Sequence, residues 1–270
     1  DNPDQAQQIT TGNYAGFFGV AWTPDGRLVY GSRDFRLWII NRDGSGQKVL
    51  SGDEVNNWLP DVSPDGRYIV FQSWRGKSTE NRIWRMDIDG NNITPLTERP
   101  WSDVPRVSPD GKWVVYQSEA GGRRTLWKVP INGGEPTQLV KYLSLWPAIS
   151  PDGKRIAFFG SDESDQPDQF HIIVIPFEGG EPTFRFPVAA DIANWNDLRW
   201  TPDGKSLAYI TGESGARNIW IKALNDSPAV PLTHLKNQQI FHFDWSGDGQ
   251  YLAYAAGVMN DDVILIRNVK

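Results

Sequence analysis

Short apolar segments alternate with turn-forming residues along the whole chain. Four of these segments are nearly continuous apolar runs, at Tyr68–Phe71, Trp113–Tyr116, Ile156–Phe159 and Leu207–Ile210. Runs of this length, bounded by Gly, Pro and Asp, are typical of β-strands that are packed on both faces. A shorter segment in which Leu or Ile precedes Trp also recurs, at Leu37-Trp38, Ile83-Trp84, Leu126-Trp127 and Ile219-Trp220. The pattern therefore predicts a protein built from short strands.

The strands are separated by a four-residue phrase, Ser or Thr, then Pro or Gly, then Asp-Gly, that occurs six times. Its copies stand at 23–26, 63–66, 108–111, 150–153, 201–204 and 246–249. Proline presets φ for the first corner of a type I turn, and glycine adopts the left-handed conformation that returns the chain as an antiparallel strand. A tight hairpin that recurs roughly every 40–50 residues between strands indicates the blades of a β-propeller.

These repeats predict one all-β domain, a six-bladed β-propeller that spans residues 1–270. The predicted blades lie near 11–51, 52–97, 98–140, 141–186, 187–234 and 235–268. The last repeat ends at Asp262–Asn268 without an outer strand, whereas Ala6–Thr10 resembles the outer-strand segment Ile93–Thr97. An open sheet leaves an unpaired edge. We therefore predict that the N-terminal strand Ala6–Thr10 closes the last blade.

Charge and composition exclude several classes of function. The net charge of −6 and the lack of a basic run argue against nucleic-acid binding. No apolar run approaches 18 residues, so we expect no membrane insertion by this chain. The first residue, Asp1, is not an initiator methionine, which is typical of a mature product or an excised domain. A targeting segment or an anchor could therefore have preceded it.

The residues that enzymes commonly use are scarce. The chain has no Cys and three His, of which only His242 lies on an inner strand near the predicted axis. No Gly-x-Ser-x-Gly motif is present. The acidic cluster Asp162-Glu163-Ser164-Asp165 lacks the spacing of a known Ca²⁺ loop, so a solvated insertion is favoured. We predict no catalytic residues, no metal and no cofactor.

The position four residues before each turn aspartate is expected to face the central channel, because strand residues alternate between faces. This channel ring consists of Ala21, Asp61, Arg106, Ala148, Arg199 and Asp244. We expect ion pairs between Asp61 and Arg106 and between Arg199 and Asp244. Two alternatives remain open at this point. The pairs either satisfy each other completely, or part of the ring is free to bind a polar ligand.

Aromatic residues recur in the loops that lead into the inner strands, and all these loops emerge on one side of a propeller. The candidates at this mouth of the channel are Trp58, Trp101, Trp146, Trp195 and Phe241. Tyr14, Phe17, Phe18 and Tyr142 belong to the same loops, and Trp74 and Arg75 are expected to reach the same side. Aromatic rings beside Asn and Asp suit a protein, a peptide or a small polar ligand.

With Ser-Pro-Asp-Gly-Lys at 150–154, apolar strands after each turn, Ile-Trp pairs and Asp-Gly turns, the chain resembles the TolB-like family of six-bladed propellers. Its ending, Phe243–Ser246 followed by Asp262–Asn268, is similar to propellers that follow kinase or winged-helix domains in bacterial membrane-anchored regulators. The resemblance implies a monomeric, non-enzymatic sensor or interaction domain outside the cytoplasm. The alternatives are a stand-alone periplasmic TolB-like scaffold and a metal-dependent hydrolase or lyase that uses the channel.

Overall fold

The computed structural model describes residues 6–10, 18–51, 56–75, 80–99, 101–161, 169–188, 197–212 and 215–258. These residues form β-strands, turns and loops, with no helix among them. No helix that could cross a membrane therefore occurs in these ranges. The prediction of an all-β propeller is confirmed.

The strands form six antiparallel sheets that follow one another along the chain. Sheet 1 contains β1 (Val20–Trp22), β2 (Arg27–Gly31), β3 (Leu37–Asn41) and β4 (Lys48–Val49). Sheet 2 contains β5 (Asn57–Val62), β6 (Tyr68–Ser73), β7 (Arg82–Asp87) and β8 (Thr94–Pro95). Sheet 3 contains β9 (Ser102–Val107), β10 (Trp113–Ala120), β11 (Arg123–Pro130) and β12 (Thr137–Gln138).

The second half of the chain repeats this order. Sheet 4 contains β13 (Leu143–Ile149), β14 (Arg155–Ser161), β15 (Phe170–Pro176) and β16 (Phe184–Val188). Sheet 5 contains β17 (Leu198–Trp200), β18 (Ser206–Thr211), β19 (Asn218–Ala223) and β20 (Val230–Pro231). Among the described residues, sheet 6 contains two strands, β21 (Gln239–Trp245) and β22 (Leu252–Gly257).

The structure thus shows five four-stranded blades where the sequence predicts six. The sixth repeat forms a two-stranded sheet, and its predicted third strand, Asp262–Asn268, lies outside the described residues. The segment Ala6–Thr10, predicted to be the outer strand of this blade, has no strand assignment. A strand is defined by its pairing, and the predicted neighbour of Ala6–Thr10 is not among the described residues. The closure of a sixth blade is therefore not shown.

The six recurring turns share one set of hydrogen bonds. In the second copy, the Gly66 N–H donates to the Ser63 carbonyl oxygen at 2.8 Å, and Gly66 has a φ of 68°. The Ser63 hydroxyl donates to Asp65 Oδ1 at 2.6 Å and accepts the Tyr68 N–H at 2.9 Å. The Ser63 hydrogen bond is the main cause that lowers the pKa of Asp65 below its usual range.

All six turns lie at one end of the inner strands, which we call the turn face. The opposite end is the loop face.

The core is divided among the junctions between successive sheets. Ile69 and Phe71 of sheet 2 pack with Val29 and Leu37 of sheet 1, and similar clusters join sheets 2 to 6 in order. Sheet 6 also contacts sheet 1, because the Trp22 N–H donates to Asp244 Oδ2 at 3.0 Å. The described sheets therefore stand in a ring around a central channel.

Three of the described inner strands carry a bulge at a proline, which periodicity does not reveal. In β5, β9 and β13, two residues oppose a single residue of the neighbouring strand. The bulged pairs are Leu59-Pro60, Val104-Pro105 and Trp146-Pro147. Proline is tolerated there because a bulge leaves one residue outside the ladder. The residue before each proline has a positive φ, at 49°, 53° and 56° respectively. Such a backbone is strained for Val and Trp, and it resets the alternation of side chains before the channel ring.

Candidate ligand-binding channel

The charged members of the channel ring lie together, as the sequence predicts. Asp61, Arg106, Arg199 and Asp244 line one cavity of about 260 Å³ with Ala148. The remaining lining residues are apolar or belong to the turns, namely Val107, Ile149, Pro151, Trp200, Pro202, Trp245, Ser246 and Gly247. Because turn residues form its outer wall, this cavity lies at the turn face and not at the aromatic loop face.

One of the two predicted ion pairs forms and the other does not. Arg199 Nε lies 3.3 Å from Asp244 Oδ1, as expected. Arg106 pairs instead with Asp197, whose Oδ1 is 2.9 Å from Arg106 Nη2. Arg199 also donates through Nη1 to Asp197 Oδ1. The prediction that Asp61 pairs with Arg106 is therefore wrong, because Asp197 is the carboxylate that neutralises both arginines.

Asp197 is the residue of this site whose role the sequence analysis missed. Its side chain is 1% exposed, and Arg106 reaches it from sheet 3 across the channel. Burial acts to raise the pKa of Asp197, but Arg199 and Arg106 outweigh burial and hold this pKa well below its usual range. The signal was available, since residues two apart on a strand share a face and Asp197 is two residues before Arg199.

The other two carboxylates are less well neutralised. Asp61 Oδ2 accepts the Val107 N–H at 2.6 Å, and no ion pair to Asp61 occurs in the described part of the chain. Burial raises the pKa of Asp61 to about 6, and the charge of Arg106 opposes the rise. Burial also raises the pKa of Asp244, which Arg199 opposes. Both side chains are half-buried, and a carboxylate that is removed from water without a cationic partner is a costly arrangement.

His242 and Trp146 contact each other across the channel, each two residues before a member of the channel ring. Their ring centroids are 5.9 Å apart, although one residue belongs to sheet 6 and the other to sheet 4. His242 Nδ1 also lies 3.5 Å from Asp197 Oδ2. Trp146 is 8% exposed, so it does not rim the mouth as predicted. It lies in the β13 bulge, and the Trp146 N–H donates to Gln117 Oε1 at 2.9 Å.

The loop face carries a cluster of four aromatic rings, which we call the aromatic patch and which consists of Phe18, Phe35, Trp58 and Trp74. The Trp58 ring centroid is 5.8 Å from both Phe18 and Phe35 and 5.1 Å from Trp74. Phe35 is 36% exposed and Trp74 is 38% exposed. Trp58 therefore holds together a patch whose outer rings face solvent.

The other residues predicted at the mouth differ in their position and exposure. Trp101 immediately precedes β9 and is 41% exposed, so it lies on the loop face as predicted. Phe241 is half-buried at the irregular register of β21 and β22. Trp195 lies outside the described residues, as do Tyr14, Phe17 and the acidic cluster Asp162–Asp165. Among the residues that the structure describes, no three His, Asp or Glu side chains are grouped to hold a metal ion.

Two curated proteins with similar sequences are longer than this chain. The uncharacterized protein Atu1656 of Agrobacterium fabrum is 29% identical over 197 residues, which cover 70% of this chain and 53% of that protein. The Tol-Pal system protein TolB of Rhizorhabdus wittichii is 37% identical over 65 residues, which cover 23% of this chain and 14% of that protein. The chain thus spans about half or less of these relatives.

Solved structures with the same fold include both TolB and enzymes. TolB from Acinetobacter baumannii superposes with a TM-score of 0.65 at 20% identity, over 76% of this chain and 51% of that chain. An oligogalacturonate lyase in complex with manganese has a TM-score of 0.66 at 14% identity, over 92% of this chain and 75% of that chain. At these identities the likeness shows the fold alone.

The family is shown by the sequence. The TolB beta propeller domain, as a sequence family, matches residues 2–144, which is more than half of the chain. The matched region contains three of the six recurring turns and all of sheets 1 to 3. The chain therefore belongs to the TolB beta propeller family.

Proposed function

We propose that this chain is a non-enzymatic interaction domain, a TolB-like scaffold that binds a protein or peptide partner through its loop face. The observation that carries the proposal is the aromatic patch, together with Trp101 on the same face. Three of the six large hydrophobic side chains that are exposed among the described residues, Phe35, Trp74 and Trp101, lie there. Exposed aromatic groups of this kind are favoured at protein interfaces.

The geometry of the patch suits an interface more than a deep ligand pocket. Trp58 packs edge-on against Trp74 with an interplanar angle of 83°, so the rings support one another without a partner. A rigid, preorganised aromatic surface loses little side-chain entropy on binding. The similarity to TolB proteins supports this reading. The sensor function of a membrane-anchored regulator has less support, because none of the relatives described above is a kinase or winged-helix regulator.

The enzymatic alternative is supported by the structural similarity to the manganese-bound oligogalacturonate lyase, but this similarity is one of fold alone. Fold similarity does not transfer catalysis, which depends on a particular site. In the described residues His242 contacts Trp146 and Asp197, and the channel arginines are committed to carboxylates. We therefore propose a function in recognition and not in hydrolysis or lyase chemistry. The proposed location outside the cytoplasm is supported by the similarity to TolB proteins alone.

We also propose that Ala6–Thr10 completes a sixth blade. Ile9 packs with the cluster of Val20, Leu28, Tyr30 and Ile40, to which Ala253 of sheet 6 also belongs. A Cβ added at Gly44 of sheet 1 would lie 3.0 Å from the Ile9 carbonyl oxygen. Gly179 of sheet 4 has the same relation to the carbonyl oxygen of Leu139, also at 3.0 Å, and Leu139 directly follows the outer strand of sheet 3. Ile9 therefore stands where an outer-strand residue of a sixth blade is expected.

The loop-face proposal is tested by site-specific crosslinking in the native host. A photoreactive phenylalanine derivative replaces Trp74 or Trp101 in the full-length protein, and Tyr251 serves as the control position. Tyr251 is 41% exposed, the same fraction as Trp101, but it follows a turn on the opposite face. We expect a discrete protein adduct from the two loop-face positions alone, which mass spectrometry then identifies.

The identified partner is then produced and its affinity measured for Trp74→Ala, Trp101→Ala and Tyr251→Ala. We expect each loop-face substitution to weaken binding by about 1–3 kcal/mol, since tryptophan is enriched among interface hot spots. Tyr251→Ala is expected to leave the affinity unchanged. Equal crosslinking from Tyr251, or full affinity after both tryptophan substitutions, would contradict the proposal.

A further inference from the structure

The turn-face cavity has no part in the proposed loop-face interaction and has features of a separate binding site. Its volume of about 260 Å³ is close to the lower end of the range for small-molecule pockets, roughly 300–1,000 Å³. The space is sufficient for a small molecule or a single inserted side chain. Its walls combine apolar groups, such as Val107, Ile149 and Trp200, with charged groups at its base.

The charges around the cavity do not balance. Asp61 and Asp244 line it, and Asp197 lies behind its two arginines, Arg106 and Arg199. Three carboxylates face two guanidinium groups, and His242 lies beside Asp197. Both arginines are engaged, since each donates to Asp197 and Arg199 also donates to Asp244. One negative charge at the base of the cavity therefore has no cationic partner among the described residues.

That charge is on Asp61. Its Oδ2 accepts the Val107 N–H, whereas no donor contacts Oδ1 in the part of the chain that the structure describes. In the interior, electrostatic attraction is stronger than in water, so a cation brought to Asp61 would gain more than at an exposed carboxylate. Arg106 remains bound to Asp197 at 2.9 Å and does not fill this need.

We propose that the turn-face cavity binds an alkylammonium group, either a lysine side chain or a free amino terminus, with Asp61 as its counter-ion. The ammonium group donates to Asp61 Oδ1, and the methylene groups behind it contact Val107, Ile149 and Trp200. Lysine side chains commonly bury their stems against apolar surface in this way.

Two other ligand classes fit the cavity less well. An anion would have to compete with Asp197 and Asp244 for Arg106 and Arg199. It would also add to the excess of negative charge. A hard divalent cation requires several oxygen ligands, typically six or more for Ca²⁺. The described residues offer no group of three metal-capable side chains, here or elsewhere.

The test begins with three small probes of equal chain length, n-butylammonium, n-butanol and butyrate, titrated into the full protein by calorimetry or NMR at about pH 7.5, where carboxylates are ordinarily ionised. Two variants are compared with the natural protein, Asp61→Asn and Asp103→Asn. Asp103 is the matched control, because burial also raises its pKa to about 6 but it does not line the cavity. We expect n-butylammonium alone to bind. We expect Asp61→Asn to weaken it at least about ten-fold, equal to 1.4 kcal/mol, and Asp103→Asn to have no effect.

A second set of probes identifies the source of the ammonium group. Triglycine amide offers only an amino terminus, N-acetyl-lysine amide offers only a side chain, and its Nε-acetylated form offers neither. We expect one of the first two to bind and the acetylated form not to bind. The affinity should also fall as the pH is lowered through 6, because Asp61, which faces Arg106, Arg199 and Asp244, becomes neutral.

The proposal is overturned by any of three results. The first is that n-butanol or butyrate binds as well as n-butylammonium, and the second is that Asp61→Asn binds n-butylammonium with unchanged affinity. The third is that no ammonium probe binds at a concentration of about 10 mM, which would mean a Kd above the low millimolar range. Misfolding is distinguished from loss of the counter-ion by the thermal unfolding of the same variants. An Asp61→Asn protein that is at least as stable as the natural one but does not bind supports the role of Asp61.

Discussion

At the scale of single residues, the energetics of the channel depend on how each carboxylate is neutralised. Asp197 has two guanidinium partners and Asp244 has one, but Asp61 has a backbone N–H in place of an ion pair. These partners explain why the pKa of Asp197 is lowered while the pKa values of Asp61 and Asp244 are raised. Aspartates that line the same channel therefore contribute with opposite signs to stability.

We expect Asp61→Asn to stabilise the protein by about 1–2 kcal/mol at neutral pH. A rise of the pKa to about 6, in which the attraction of Arg106 is already included, corresponds to about 3 kcal/mol of unfavourable ionisation. We expect only part of this effect, because Asp61 is half-buried and solvent screens its charge. Because the folded-state pKa of Asp61 lies above the unfolded-state value near 3.9, the natural protein gains stability as the pH falls from about 6 to 4. The advantage of Asp61→Asn should therefore shrink over that range. Urea unfolding at a series of pH values measures it.

The comparison variant is Asp61→Ala. It also removes the charge, but it leaves the Val107 N–H without its acceptor and opens space beside it. We expect Asp61→Ala to be less stable than Asp61→Asn at every pH. If Asp61→Asn instead destabilises the protein at neutral pH, Asp61 has a favourable partner, and the inference that the charges around the cavity do not balance is wrong.

The prediction of the site from sequence succeeded for positions and failed for partners. Alternation placed Asp61, Arg106, Arg199 and Asp244 around the channel, and they do line one cavity. Pairing neighbours in the ring failed because guanidinium groups are long enough to reach across a narrow channel. Arg106 of sheet 3 therefore meets Asp197, which directly precedes β17 of sheet 5. The sequence pattern indicates which face of a strand a residue occupies, but it does not give the distances between side chains across the channel.

At the scale of elements, the turns and strands were predictable because each depends on local chemistry. The bulges were not predicted, although the sequence contains a signal for them. A proline follows Leu59, Val104 and Trp146 within predicted inner strands, and proline in a strand indicates a bulge or an edge. Trp146 was assigned to a loop that leads into the inner strand and was therefore expected at the mouth, but it lies within β13 at the bulge and is buried.

We expect Ser63→Ala to destabilise the protein by about 1–2 kcal/mol, because it leaves the Tyr68 N–H without its acceptor and removes the donor to Asp65. The matched control is Ser63→Thr. Thr201 makes the same two kinds of hydrogen bond in its own turn, so threonine is expected to be tolerated. Chemical denaturation measures both variants.

The pH dependence of the free energy of unfolding in acid gives a second measurement on this turn. The Ser63 hydrogen bond is the main reason that the pKa of Asp65 is lowered. Ionised Asp65 therefore stabilises the folded protein above the unfolded-state pKa near 3.9, and this contribution is lost as the pH falls below that pKa. The cost of Ser63→Ala should therefore decrease in acid. A cost that does not depend on pH would show that the hydroxyl acts through the Tyr68 N–H alone.

At the scale of the whole molecule, a propeller is stable only if its first and last sheets meet. The described residues already show contacts across this junction, since the Arg42 guanidinium lies 4.4 Å from the ring centroid of Tyr251 and the Trp22 indole donates to the Asp244 carbonyl oxygen at 3.1 Å. Contacts between sheets that are not neighbours, such as Trp146 with His242, add a second route of coupling through the channel.

We expect the N-terminal segment to stabilise this junction, so that Ile9→Ala costs about 1–2 kcal/mol, below the usual range for a fully buried Ile because Ile9 is only partly buried. Gln7→Ala is the control, since Gln7 is exposed and such substitutions usually change stability by less than about 0.5 kcal/mol. Hydrogen exchange should show the loss of protection first in β1 and β22, because these strands belong to the two sheets that meet at the junction. If Ile9→Ala behaves like Gln7→Ala, or if protection is lost evenly around the ring, the segment does not close the propeller, and the ring must then be held by the direct contacts of sheets 1 and 6 alone.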